Sequence, residues 1–273
     1  MVNKTRIQFF AVVFMLLSIL GSSPLFAKEA ADNSITIVYN NIPGNATSSL
    51  RVGGGLSAFI VFRGQCILFD AGGDASILVS NIETLGLDLA KLDAVVISHN
   101  HWDHVYGLPG IYSLLESNPK VYVTGSSKDA IKQQYPRADV VPVEEPVEIC
   151  ACVWSTGAIA TAYRDLPIWE QSLILDDDNG LYVITGCSHP GIVKIIERVR
   201  SLFPEKPVAL VTGGFHLVSA TRQEVMEISA RLKELGVKKL APSHCTGRLA
   251  TEVFKEDWRE NCIRLYRGDT YSF

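Results

Sequence analysis

Short apolar runs alternate with amphipathic stretches along this chain, and from about Ser34 onward the rhythm is unbroken. Ile35 to Tyr39 is a β-branched run of strand length. Leu56 to Phe62 and Cys66 to Phe69 are two more, joined by Arg63-Gly64-Gln65, a hairpin signal. Asp70-Ala71-Gly72-Gly73-Asp74 then turns the chain into a helix predicted from Ala75 to Leu85. Leu92 to Ile97 predicts a buried strand, Gly107 to Leu115 a short helix, Val121 to Val123 a strand and Ser127 to Gln134 a helix. Val140 to Trp154 alternates but is interrupted by prolines, as in hairpins near a sheet edge. Three strand–helix units follow: Leu181 to Thr185 with Ile192 to Leu202, Val208 to Thr212 with Arg222 to Leu235, and Lys239 to Ala241 with a helical stretch near Ala250 to Lys255.

Strands alternating with helices in this way fit an α/β fold of two sheets sandwiched between helices. No repeat of 20–50 residues and no linker-like change of composition divides the chain, which predicts a single domain over residues 28–273. The stretches Asn40 to Gly55 and Thr156 to Trp169 are expected to be pocket loops, with Gly53-Gly54-Gly55 a flexible cluster in the first.

The first 27 residues have a different character. Lys4 and Arg6 precede an apolar run from Phe9 to Leu20, and Gly21 to Ala27 is a small-residue exit ending in Leu25-Phe26-Ala27. This is the pattern of a cleaved signal peptide over residues 1–27, too short for a confident membrane span. No cysteine follows the exit to accept a lipid, so the expected product is periplasmic or secreted, with no membrane attachment after cleavage. Removing the two cations takes the formal net charge from −4 to −6, and no Lys/Arg run remains to contact a nucleic-acid backbone.

Export permits disulfides, but the six cysteines (66, 150, 152, 187, 245 and 262) show no dense framework. Cys150 and Cys152 read as thiols or a disulfide partner before they read as a metal pair, and Cys66 belongs to an apolar strand.

The histidines are not scattered. Residues 98 to 104 read Ser-His-Asn-His-Trp-Asp-His, directly after a strand-like run. His99, His101, Asp103 and His104 therefore crowd one loop, and imidazoles with a carboxylate suit zinc, iron or manganese. In an extended backbone His99, His101 and Asp103 face one way and His104 the other. The three remaining histidines, His189, His216 and His244, each follow an apolar run, and ligands gather beyond the carboxyl ends of strands in open α/β sheets. No nucleophile elbow and no phosphate-cradling Walker loop supports covalent catalysis or nucleotide binding.

The His-x-His-x-Asp-His loop resembles that of the metallo-β-lactamase superfamily, and the match runs complete from His99 to His104. Gly186-Cys187-Ser188-His189-Pro190-Gly191, Gly213-Gly214-Phe215-His216 and Pro242-Ser243-His244-Cys245-Thr246-Gly247 resemble the branch named for 7,8-dihydropterin-6-ylmethyl-4-(β-D-ribofuranosyl)aminobenzene 5'-phosphate synthase. The resemblance covers about Ile35 to Arg264 and implies a four-layer αββα sandwich with one or two metals at the sheet edges. It implies that His99 and His101 bind a first metal, and that Asp103, His104 and His244 bind a second. The superfamily's bridging carboxylate position carries Cys187 here, a competent soft ligand. The usual Gly-His ligand before that strand is missing, so His189 is expected to replace it, with Glu170 a weaker candidate. His216 is a ligand, a substrate-facing catalytic residue or a structural one, and Asp70 is expected to orient a ligand imidazole.

The resulting expectation is an exported hydrolase with two divalent metals, zinc ahead of manganese or iron. It would direct a metal-bound hydroxide at a small ester, phosphoester or related substrate. The alternatives are a β-lactamase, a methanopterin-type pterin phosphate transferase, and a metal- or ligand-binding protein without turnover.

Overall fold

Fifteen strands and seven α-helices lie among the described residues of the computed structural model, which are 33–44, 49–116 and 118–273. The leader expected over residues 1–27 falls outside them. The first half supplies β1 (Ser34–Asn40), β2 (Leu56–Phe62), β3 (Gln65–Phe69), α1 (Ala75–Thr84), β4 (Leu92–Val96), α2 (Trp102–Val105), α3 (Leu108–Ile111), β5 (Lys120–Thr124), α4 (Lys128–Gln134) and β6 (Asp139–Val143). The second half begins with strands alone: β7 (Val147–Cys150), β8 (Val153–Ser155), β9 (Ile159–Tyr163), β10 (Leu166–Glu170), β11 (Leu173–Asp177) and β12 (Gly180–Thr185). It continues through α5 (Ile192–Leu202), β13 (Val208–Gly214), α6 (Arg222–Glu234), β14 (Leu240–Ser243), α7 (Arg248–Trp258) and β15 (Thr270–Ser272).

Two large sheets result, one ordered β15-β1-β2-β3-β4-β5-β6 and the other β14-β13-β12-β11-β8-β7. Period-two alternation sorts their side chains between layers. Leu56, Ala58, Ile60 and Phe62 of β2 and Val96 of β4 point inward, where they meet Leu173, Leu175, Tyr182 and Ile184 of the other sheet. The outer face of the first sheet, with Phe59, Leu68 and Val95, packs on Leu78, Leu108 and Ile131 of its helices. The outer face of the second, with Leu181, Val183 and Val211, packs on Ile195, Val225 and Phe254. Three apolar cores between four layers make the αββα sandwich.

Several elements differ from the sequence reading. The helix expected from Gly107 to Leu115 is only the four-residue α3, with Pro109 in its first turn, and a second four-residue helix, α2, precedes it unexpected. Because α2 begins at Trp102, Asp103 and His104 sit on a helical turn, and the extended alternation expected for them does not apply. Thr156 to Trp169 is largely a hairpin of β9 and β10, a separate two-stranded sheet. Its turn residues Arg164 and Asp165 have φ of 49° and 63° without any glycine, so the usual composition signal for a two-residue turn is missing. Gly55 is a packing device: a Cβ there would lie 2.1 Å from the Asp103 carbonyl oxygen.

Candidate metal centre

Every sequence-predicted site residue lies at one end of the two sheets. Asp70 follows β3, the heptad follows β4, and Cys187 and His189 follow β12. His216 follows β13 and His244 follows β14. Asp70, Ser188, His216 and His244 all hold left-handed backbone angles (φ 57°, 62°, 52° and 49°), a conformation that non-glycine residues adopt at a cost of about 1–3 kcal/mol. Of these, His216 and His244 line one cavity, and Asp70 and Ser188 are buried.

The side chains converge as two donor sets. Nε2 of His99 lies 3.0 Å from Nδ1 of His101, and Nε2 of His189 lies 3.2 Å from that same His101 nitrogen. Beside them, Asp103 Oδ2 is 3.4 Å from Nε2 of His244 and 3.7 Å from Nε2 of His104. The Cys187 Sγ stands 3.2 Å from the His104 Nε2 and 3.4 Å from the His244 Nε2. One ligand atom each from Asp103, His104, Cys187 and His244 falls within 4.8 Å of all the others, and the same holds for His99, Cys187 and His189. Cys187 is common to both sets.

The outward nitrogens show which inward ones carry lone pairs. Ser98 gives its one hydroxyl proton to Asp70 Oδ2 at 2.8 Å, so its oxygen accepts from Nδ1 of His99 at 2.9 Å. His104 donates from Nδ1 to Asp70 Oδ2 at 2.6 Å, and His244 donates from Nδ1 to Asn41 Oδ1 at 2.9 Å. Each bond fixes a tautomer that leaves Nε2 facing the centre. Asp70 is thus an orienting residue. Ser98 and Asn41 were not singled out from sequence, although Ser98 opens the heptad itself.

Glu170 is buried at the end of β10 with its carboxylate on backbone amides. It accepts from the Cys187 and Ser188 N–H groups at 2.9 and 2.7 Å and from the His189 N–H at 2.7 Å. It holds the loop that carries two donors, and its oxygens are occupied in doing so.

Burial strips His99 of its tendency to protonate and pushes its pKa well below the ordinary value. Burial, with like charge on His216 and His101, takes His189 down to about 3. His104 is the opposite case: burial disfavours its charge, but the Asp70 carboxylate, Asp103 and Glu170 together outweigh burial and raise it to about 9. Burial also opposes ionisation of Asp103, yet hydrogen bonding from His244 and the charge of His104 hold its carboxyl below the usual range. Burial raises Glu170 to about 7 against the pull of its amide partners. Hydrogen bonding from Cys187 lowers the neighbouring Cys245 thiol to about 4, while the same contact and burial push Cys187 well above the ordinary thiol value.

A cavity of about 380 Å³ opens over these groups, bounded by Trp102, Tyr163, Arg164 and His216. The Tyr163 ring packs on His101, His189 and His216, with centroids 5.3, 4.7 and 5.4 Å away. Arg164 leans over that ring, its guanidinium carbon 5.2 Å from the centroid. His216 packs on His189 with ring centroids 4.4 Å apart and tilted by 56°, and it forms part of the cavity wall. Tyr163 and Arg164 lie in the stretch expected to be a pocket loop and carry no motif of their own. Cys150 and Cys152 lie apart from the centre as free thiols.

The donor sets fit divalent metal ions. His99, His101 and His189 are held neutral by burial, Asp103 is kept ionised, and mixed nitrogen, oxygen and sulfur donors suit a borderline cation.

A family model described as the metallo-beta-lactamase superfamily matches residues 50–199. A relative from Methanocaldococcus jannaschii, named 7,8-dihydropterin-6-methyl-4-(beta-D-ribofuranosyl)-aminobenzene-5'-phosphate synthase, is 26% identical over 247 residues, covering 76% of this chain and 84% of its own length. An uncharacterized protein of the same organism is 30% identical over 223 residues, covering 71% of this chain and 84% of its own. Among solved structures, Tm1679, described as a metal-dependent hydrolase of the beta-lactamase superfamily, superposes with a TM-score of 0.73 at 25% identity. That superposition covers 88% of this chain and 99% of Tm1679.

Proposed function

The chain belongs to the metallo-β-lactamase superfamily as one of its metal-dependent hydrolases, and on that premise we propose that it is an exported enzyme that holds two divalent metals, zinc foremost, and cleaves a small ester or phosphoester. The observation that carries this reading is the pair of donor sets meeting at Cys187 on the floor of one cavity. His99, His101 and His189 would hold one ion; Asp103, His104 and His244 would hold the other, with the Cys187 sulfur between them.

When bound, such an ion lowers the pKa of a coordinated water from about 15.7 to about 7 and polarises a carbonyl or phosphoryl oxygen. The protein's own residues do the rest. Asp103 is the heptad's one carboxylate and would accept a hydrogen bond from a water at the cavity floor, orienting it. Ser98, Asp70 and Asn41 keep the imidazoles in the tautomers that face inward. Glu170 fixes the Cys187–His189 loop. His216 and Tyr163 form a wall against which a substrate packs, and the Arg164 guanidinium at the rim suits an anionic group. The relative from M. jannaschii is named for a 5'-phosphate product, which supports a phosphate-bearing substrate. Export is supported by Lys4, Arg6, the Phe9–Leu20 apolar run and the Ala27 exit.

The test is a panel of carboxylic esters, phosphomonoesters, phosphodiesters and a β-lactam, assayed with zinc-loaded, manganese-loaded and chelator-stripped protein. Turnover of an ester or phosphoester, lost on stripping and restored by reloading, is the expected result. Preference for the β-lactam would make the protein a β-lactamase. Metal binding with no turnover on any member would leave a binding protein.

A further inference from the structure

Cys245 is used by neither donor set. It follows His244 beyond β14, and its Sγ, the Cys187 Sγ and a ring nitrogen of His216 all lie within 4.8 Å of one another. The thiol fits there because residue 214 is glycine. A Cβ at that position would lie 2.6 Å from the Cys245 Sγ, 2.6 Å from the Gly186 carbonyl oxygen and 3.1 Å from Cδ2 of His244. His216 is held in the left-handed region, and its Nδ1 is buried without a hydrogen-bond partner. Cys187 is buried, and Cys245 is half-buried at the edge of the same cavity.

Two sulfurs and an imidazole with no carboxylate form a softer set than either of the others, and thiolates favour thiophilic ions. A disulfide is the competing use of the pair. Cys187 and Cys245 follow β12 and β14, which flank β13, and both are free thiols, with the Cys245 Sγ 3.5 Å from the Cys187 carbonyl oxygen. An ion bound at ~2.3 Å from each sulfur spans a wider gap than an S–S bond of ~2.05 Å does.

We propose that Cys187, Cys245 and His216 form a third site, for a soft thiophilic cation of the Cd(II) or Cu(I) class, which shares the Cys187 sulfur with the dinuclear centre. A soft ion there draws Cys187 toward His216 and away from His104 and His244, so this corner of the cavity distinguishes soft cations from borderline ones.

The experiment titrates the full mature chain with Cd(II) and reads the ultraviolet sulfur-to-cadmium charge-transfer band, whose amplitude grows with the number of cadmium–thiolate bonds. The Cys187→Ser/Cys245→Ser double variant supplies the baseline and cancels any contribution from Cys66, Cys150, Cys152 and Cys262. Against that baseline, wild type is expected to give about twice the amplitude of Cys245→Ser. His216→Ala keeps both sulfur bonds, so it should retain the amplitude while weakening the affinity at least about tenfold. Circular dichroism verifies the fold of each variant, and Cys245→Ala replaces Cys245→Ser if the serine variant does not fold. Equal amplitude in wild type and the Cys245 variant overturns the proposal, as does unchanged affinity in His216→Ala. Manganese, which prefers oxygen and nitrogen donors, is titrated into the Cys245 variant separately. Its retention there supports a third site distinct from the dinuclear centre, and its loss overturns that distinction without bearing on the hydrolase reading.

Discussion

The Asp70 carboxylate lies 2.6 Å from Nδ1 of His104, and both side chains are wholly removed from solvent. This contact sets how metal binding depends on pH. With its folded pKa raised to about 9, chiefly by Asp70, His104 carries a proton at neutral pH that a metal at Nε2 must displace. The His104 proton alone should therefore make the apparent affinity of the second ion climb with pH up to about 9, by as much as tenfold per unit. Zinc binding in weakly buffered solution at pH 8 should release a proton from His104 as well as one from the Cys187 thiol. Asp70→Asn removes the charge that holds the His104 proton. About one proton fewer should then be released, with metal affinity above pH 9 falling about 10–100-fold. Equal proton release from wild type and variant would show that Asp70 does not control this site.

In the metal-free protein the same pair makes stability fall with alkalinity. The folded pKa of His104 is raised above its unfolded value near 6.5, so the stabilisation is complete below about pH 6.5 and lost as pH rises through about 9. Chemical denaturation of stripped protein across that window should show the decline, and Asp70→Asn should flatten it.

Glu170 is expected to matter to the first metal and not to the second. Glu170→Gln keeps the volume but turns an amide donor toward the His189 N–H, stranding a buried group at a cost of about 1–3 kcal/mol. The loop bearing His189 should loosen, and the ion on His99, His101 and His189 should bind more weakly, while that on Asp103, His104 and His244 persists. Denaturant midpoints and metal content read both effects. Unchanged values would show that the three amide contacts are dispensable.

Arg164 should sort substrates by charge. Arg164→Ala is expected to raise KM about tenfold, equivalent to ~1.4 kcal/mol, for phosphate-bearing substrates and to leave neutral esters unchanged. An equal effect on both classes would assign Arg164 to packing on Tyr163 instead.

The heptad was legible because four donors are contiguous in sequence, and His189 and His244 because each follows an apolar run at a strand's carboxyl end. The groups that aim those donors were less so. Asn41 reaches His244 across 203 residues, and nothing in its own surroundings marks it. Glu170 was considered as a ligand because its type allows it; only the folded chain shows its oxygens on three backbone amides. Most sandwich strands announced themselves through alternation or continuous apolarity, whereas β11 and β15 have no counterpart in the sequence reading. The β9–β10 hairpin did not announce itself, because Pro167 interrupts it and its turn lacks glycine.

The start of the mature protein is open to a separate measurement. The charged start, apolar run and small-residue exit predict cleavage after Ala27, so exported material should begin near Lys28. Intact mass of protein recovered from the periplasm or medium checks this. Retention of residues 1–27 on that material would replace the cleaved leader with an anchor.

Metal content of wild type against Asp103→Asn tests the dinuclear reading most directly. The substitution preserves size and removes the one carboxylate among the heptad's donors, which lies 3.4 Å from His244 and 3.7 Å from His104. Zinc-saturated wild type is expected to carry about two ions per chain and the variant about one, since seven donors exceed what one tetrahedral site uses. Turnover should fall together with the second ion while the fold persists on its apolar cores. Asp103→Asn protein that kept both ions and full turnover would contradict the assignment of this centre as the hydrolytic site.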